Sequence, residues 1–216
     1  MSKTAIVLGA TGLTGSELLA LLLKDDRFER VKVFTRRPVD VSHPKIEEHI
    51  VDLLHLEKEA ALFTGDVVFC CIGTTKSKTP DKELYRDIDY GIPVTAAKLC
   101  EHNNIRTFVV VSALGADPNS GVFYNRVKGE MEQAVLNKNI PHTYILQPSL
   151  IGGDRKEKRF GERLAQRAFS FFSFLIPKKY EMIHPKEIAK AMLFLSHNSY
   201  QKQRIPSQEL KKLSIQ

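Results

Sequence analysis

The sequence predicts an α/β protein built on a doubly wound parallel sheet, and three observations carry that expectation. Short, nearly unbroken apolar runs recur along the chain, as in strands buried on both faces. Segments with helical spacing alternate with them, the pattern of βαβ units with right-handed crossovers. The first apolar run ends in a glycine-rich turn that opens directly into a Leu-rich segment.

Residues 5–8 form a short apolar run and read as a buried strand, residues 9–15 as a turn and residues 16–24 as a helix. Residues 31–35 are β-branched and aromatic, hence a second strand, and residues 49–51 a weaker third. Leu and Ala spaced three and four apart make residues 54–63 helical. Residues 67–72 are a fully apolar strand, and residues 87–102 a helix that Pro93 must either kink or restart. A fifth strand follows at 108–111, a helix at 123–137 and a sixth strand at 142–146. Beyond Pro148 the alternation stops, and a basic loop, a Phe-rich segment and a final helix follow. The chain therefore reads as one domain of 216 residues, a core over 1–150 and a small C-terminal lobe over 151–216.

Composition narrows the function classes. Hydrophobic residues at 43% and charged residues at 26% fit a globular chain and exclude general disorder, a collagen-like repeat or a disulfide framework. Cys70, Cys71 and Cys100 make no CxxC and have no nearby His pair, and the histidines are scattered, so no metal site is expected. Adjacent Cys70 and Cys71 in an apolar run read as buried reduced thiols. With no secretory pattern at the start of the sequence, they lead us to expect a cytoplasmic protein. The apolar stretch around 169–176 falls far short of the ~20 residues of a membrane span. A formal charge of +7 admits nucleic acid, anionic lipid or a phosphorylated cofactor. No nucleic-acid-binding signature accompanies it, so nucleic acid is not expected as a partner.

Where the charge lies favours the cofactor. Gly9, Gly12 and Gly15, with Thr11, Leu13 and Thr14, sit between a strand and a helix. Such glycines permit a tight turn, close approach of a pyrophosphate and close helix–strand packing, and the helix N-terminus offers free N–H groups to phosphate. At the end of the second strand a site for NAD would place an acid, whereas this chain has Arg36 and Arg37. Two guanidiniums suit a 2′-phosphate, which favours NADP(H) over NAD(H). On the helix at 123–137, Tyr124 and Lys128 are four residues apart and share a face. The ammonium is expected to lower the phenol pKa toward the working pH and make Tyr124 a general acid/base. Ser112, closing the fifth strand, reads in two ways: as a hydroxyl for a substrate oxygen, or as a cap on the strand end that never touches substrate.

These stretches, together with residues 69–75, 87–90 and 112–116, resemble the short-chain dehydrogenase/reductase superfamily. Within it they resemble the atypical branch of Tat-interacting-protein-like oxidoreductases. The resemblance implies a Rossmann-type fold and an NADP(H)-dependent oxidoreductase acting on a small carbonyl or alcohol. It implies that Asp52 and Leu53 contact adenine, that Cys71, Ile72 and Gly73 line the ribose side, and that Lys128 also holds the nicotinamide ribose. Pro148, Ser149 and Leu150 are then expected to flank the nicotinamide, and a polar residue near Asp87 to hold a proton-relay water. The chain departs from the pattern at Ala113, where relatives often carry a second hydroxyl, and at Gln147, where they tend to carry Arg. Those departures motivate an alternative, an NADP(H)-binding regulatory module with a protein partner and little turnover. The basic, Phe-rich segment at 155–179 reads as a cover for the site mouth. Its other readings are a protein or homodimer interface and, less favoured, a membrane-surface contact.

Overall fold

The computed structural model describes residues 2–152 and 181–216. The expectations for the basic, Phe-rich segment at 155–179 lie outside the described residues. The elements are β1 (Lys3–Leu8), α1 (Leu13–Lys24), β2 (Phe28–Thr35), β3 (Ile46–Ile50), a 3-10 segment (Leu53–Glu59) and β4 (Val67–Cys70). They continue with α2 (Lys82–Arg86), a π turn (Asp87–Gly91), α3 (Ile92–His102), β5 (Thr107–Val111), α4 (Phe123–Leu136) and β6 (His142–Gln147). The chain closes with α5 (Pro185–His197), β7 (Arg204–Pro206) and α6 (Ser207–Leu213).

Seven strands form one sheet in the order β3-β2-β1-β4-β5-β6-β7, and each recorded pairing is parallel. Because successive side chains of a strand face opposite ways, each central strand feeds two cores. Ala5 and Val7 of β1 pack with Leu18 and Leu22 of α1 and with Ile188 and Met192 of α5. Ile6 and Leu8 pack with Phe34, Phe63, Phe108, Met131 and residues of α3. Burial on both faces explains why these strands read as continuous apolar runs.

Three elements differ from expectation, each for a local reason. Where a helix was expected over 54–63, the chain makes a 3-10 segment. His55 leaves helical backbone (φ −120°, ψ 36°), while Asp52 caps the Leu54 amide at 3.0 Å. The expected helix over 87–102 is divided: the π turn Asp87–Gly91 joins α2 to α3, and Pro93 lies in the first turn of α3. Of the two roles open to Pro93, it takes the restart, where its missing N–H costs nothing. Finally, β7 adds a seventh strand, pairing Arg204, Ile205 and Pro206 with Ile145, Leu146 and Gln147. Three residues are too few to show a strand period.

Candidate functional site

The C-terminal ends of β1 and β4 meet at the glycine turn, on the side of the sheet where open α/β folds hold ligands. Gly9 adopts φ +83°, and a Cβ there would lie 2.9 Å from the Cys71 carbonyl carbon and oxygen. A Cβ on Gly15 would lie 2.0 Å from the Gly9 oxygen. The loop is therefore pressed against β4 and α1 at once, and Gly12 N–H closes it by donating to Gly9 O at 3.0 Å. Gly12 precedes α1 with no side-chain cap, and the first turn carries no acid. That backbone cradle, with its uncapped amides and positive dipole end, fits a pyrophosphate.

At the end of β2, Thr35 turns its hydroxyl to the Arg37 carbonyl at 2.8 Å, and Arg36 and Arg37 project as exposed side chains. Neither guanidinium has a partner among the described residues. Asp52 serves as the cap described above, and Leu53 belongs to the core at 5% exposure, so the Leu53 side chain is turned away from solvent. Cys71 and Ile72 are half-buried beyond β4, and Gly73 is exposed beside them. The Cys71 thiol lies 3.8 Å from the Met192 sulfur, and burial pushes its pKa up. Pro148 O accepts from Leu114 N at 2.8 Å, the Ser149 hydroxyl pairs with that of Ser207 at 2.9 Å, and Leu150 is exposed.

On α4, Tyr124 and Lys128 stand one turn apart. The Lys128 ammonium is buried and lies 2.9 Å from the Asp89 carboxylate, with the Val111 carbonyl at 3.4 Å. Asp89 also accepts from the Thr74 amide at 2.8 Å, which ties the π turn to the loop after β4. Burial opposes the Lys128 charge, but Asp89 and Tyr124 outweigh it, and the pKa is raised. Gly73 faces this pair: a Cβ there would lie 3.5 Å from the Asp89 carboxylate and 3.8 Å from Lys128 Nζ. Asp89, rather than its exposed neighbour Asp87, is the carboxylate at the site. A buried acid in a π turn, a frequent mark of functional sites, was not legible from spacing alone.

One expectation needs correction. The Tyr124 phenol is raised, not lowered: burial pushes it up, Lys128 pulls it down by less, and Asp89 adds to the rise. Lys128 is shared with Asp89, so its field at the phenol is partly cancelled. Ser112 donates its proton to Glu132 at 2.6 Å, within the fold. Glu132 is 2% exposed and also accepts from Gln147 at 2.9 and 3.1 Å and from Arg204 at 2.8 Å. Gln147 therefore leaves the substrate side uncharged by serving Glu132, whose counter-charge comes from β7. Tyr85, 4% exposed on α2, meets the Tyr124 ring edge-on at 6.4 Å and the Phe123 ring at 5.6 Å.

A parallel doubly wound sheet, a glycine cradle at its switch point and a Tyr–Lys helix beside it define a dinucleotide-binding α/β protein. The chain belongs to the NAD(P)H-binding family, whose model matches residues 9–175. It is similar to protein HTATIP2 of Rattus norvegicus, 33% identical over 172 residues, covering 78% of this chain and 71% of that protein. It is also similar to the mitochondrial protein FMP52 of Candida glabrata, 38% identical over 177 residues, covering 76% and 72%. Among solved structures it resembles a UDP-N-acetylglucosamine 4-epimerase from Methanobrevibacter ruminantium (TM-score 0.72, 16% identity, covering 94% of this chain and 76% of that chain). It likewise resembles MoeE5 in complex with UDP-glucose and NAD (TM-score 0.69, 15% identity, covering 93% and 74%). At those identities the fold is what is shared. These findings bear out the short-chain dehydrogenase/reductase-like resemblance and a nicotinamide dinucleotide as cofactor.

The expectation of a cytoplasmic protein is overturned, because the FMP52 relatives from several yeasts are named as mitochondrial. The thiol argument behind it fails on physical grounds as well. Burial pushes Cys70 up to about 11, and a thiol so protected from ionisation stays inert in any compartment. Among the described residues no helix is long and apolar enough to cross a membrane.

Proposed function

We propose that this protein is an NADP(H)-dependent oxidoreductase that moves a hydride between a nicotinamide and a small carbonyl or alcohol. The observation that carries the reading is the buried Lys128–Asp89 pair facing Gly73, one helical turn from Tyr124 and on the same sheet edge as the glycine cradle. Gly9, Gly12 and Gly15 hold the pyrophosphate, and the exposed Arg36 and Arg37 hold the 2′-phosphate. A bound nicotinamide dinucleotide supplies or accepts the hydride.

The chain's own part is the proton and the positioning. Tyr124, a phenol and so protonated at neutral pH, meets a carbonyl oxygen as an acid and takes the proton back in the reverse direction. Lys128, fixed by Asp89, presents positive charge to the ribose and to the phenol, which favours the oxyanion that forms when Tyr124 gives up its proton. Ser112 takes no part in this reading.

NADPH and NADH titrations test the cofactor assignment. The chain has no Trp, so tyrosine emission quenched by reduced nicotinamide reports binding. Binding is expected to favour NADPH by roughly tenfold or more, and Arg36→Ala with Arg37→Ala to abolish that preference. Equal affinities in the wild type would reject the arginine assignment. A second reading, an NADP(H)-sensing interaction module, is favoured by the commitment of Ser112 to Glu132 and by Ala113 beside it. NADPH consumption on a carbonyl panel, lost in Tyr124→Phe, separates the two.

A further inference from the structure

If the chemistry needs two hydroxyl groups around the substrate oxygen, this chain must find the second away from the end of β5. Ser112 gives its proton to a buried carboxylate, and Ala113 has none. Thr74 and Thr79 pair hydroxyl to hydroxyl at 2.8 Å, which engages one of their two protons within the loop. Tyr85 is different. Its ring is buried and abuts Tyr124 edge-on, yet among the described residues its hydroxyl has only a long contact, 3.5 Å to the Thr74 carbonyl, at the outer limit of a hydrogen bond. Thr74 is also the residue whose amide binds Asp89, so the Tyr85 hydroxyl borders the same backbone that holds the Lys128 pair.

We propose that Tyr85 is the second hydroxyl donor of this site, meeting the substrate oxygen together with Tyr124. The proposal rests on the oxidoreductase reading and deepens it: the ligand is a planar carbonyl compound whose ring packs among Tyr85, Phe123 and Tyr124 while its oxygen takes both phenolic protons. Two phenolic donors on one oxygen stabilise the negative charge that develops there. Burial raises the Tyr85 phenol, with Asp89 and Tyr124 adding to the rise, so Tyr85 remains a donor across the physiological range. Lys82 and Arg126 lie over the Phe123 ring, each 5.8 Å from its centroid, and bring positive charge to the mouth of this aromatic group.

The test uses 4-nitrophenolate, a planar oxyanion with a visible absorption band, titrated into the full chain with NADP+ present at an alkaline pH where the probe is ionised. Tyr85→Phe and Tyr124→Phe are each expected to weaken its binding by roughly tenfold or more, and Ser112→Ala by less than about twofold. NADPH affinity, measured in parallel, is expected to be unchanged in Tyr85→Phe. Wild-type binding of the probe by Tyr85→Phe would overturn the proposal, as would no binding of the probe by the wild type. A parallel loss of NADPH affinity in Tyr85→Phe would also overturn it, by assigning Tyr85 to packing. If the wild type does not bind the dinucleotide, the cofactor reading fails separately, and the titration of the free protein still decides the role of Tyr85.

Discussion

The Lys128 ammonium and the Asp89 carboxylate lie 2.9 Å apart, with side-chain exposures of 4% and 1%. An ion pair this deep joins α4 to the π turn, and each partner is tolerable only because of the other. Lys128→Met leaves the Asp89 anion facing little more than the Thr74 amide and is expected to cost about 3–5 kcal/mol in denaturant unfolding. The double change Lys128→Met with Asp89→Asn is expected to recover much of that loss. Additive losses in the double-variant cycle would contradict the pairing. The sign with pH follows from the raised Lys128 pKa. On the Lys128 side the contribution is present below the ordinary value of 10.5 and is lost as pH rises through the higher folded-state value.

At Gly15 the constraint is steric. With a Cβ position 2.0 Å from the Gly9 oxygen, Gly15→Ala must displace either the turn or the start of α1. A loss of about 1–3 kcal/mol is expected in thermal unfolding, together with loss of NADPH binding. Gly12→Ala, whose Cβ would meet the same oxygen at 3.2 Å, is expected to be milder on both counts. Equal effects at the two positions would mean that the loop gives way as a whole.

Much of this site was legible in the sequence because its parts are local. The glycine spacing, Arg36 with Arg37, and Tyr124 with Lys128 each lie within one turn or one helix. The sheet was legible because burial on both faces leaves unbroken apolar runs such as residues 67–70. What the sequence hid was long-range. Asp89 reaches Lys128, and Arg204 reaches Glu132, only through the fold, and no local period marks either pair. The Tyr124 pKa went the other way because a spacing rule supplies the neighbouring charge but neither the burial nor the carboxylate that shares it.

Asp25 carries the acid sensitivity expected of this fold. Arg27 donates to it from Nε at 2.8 Å, Nη2 at 2.7 Å and its backbone amide at 3.0 Å. Chiefly through that guanidinium, its carboxyl is held at about 2 against an ordinary 3.8. A lowered folded-state pKa means that the stabilisation is present above 3.8 and lost as pH falls toward about 2. Arg27 is well exposed, so screening limits the effect to about 1 kcal/mol. Unfolding curves of wild type and Asp25→Asn are expected to differ at neutral pH and to converge across that acid window. A constant gap between them would show that the carboxylate charge contributes nothing.

The Glu132 cluster decides whether β7 is an ornament on the sheet or part of its support. One buried carboxylate there accepts hydrogen bonds from Ser112 after β5, Gln147 on β6 and Arg204 on β7. Glu132→Ala strands three donors, one of them charged, and is expected to cost about 3–5 kcal/mol. Glu132→Gln keeps the shape and the acceptor oxygen and is expected to cost less. Arg204→Met removes a cation that is 47% exposed, so solvent and Gln147 soften the loss to about 1–2 kcal/mol. The informative quantity is the coupling of Arg204→Met with Glu132→Gln in urea unfolding. A coupling of roughly 1 kcal/mol or more is expected if β7 is held through this charge, and a value near zero would leave only the three-residue strand pairing to hold it.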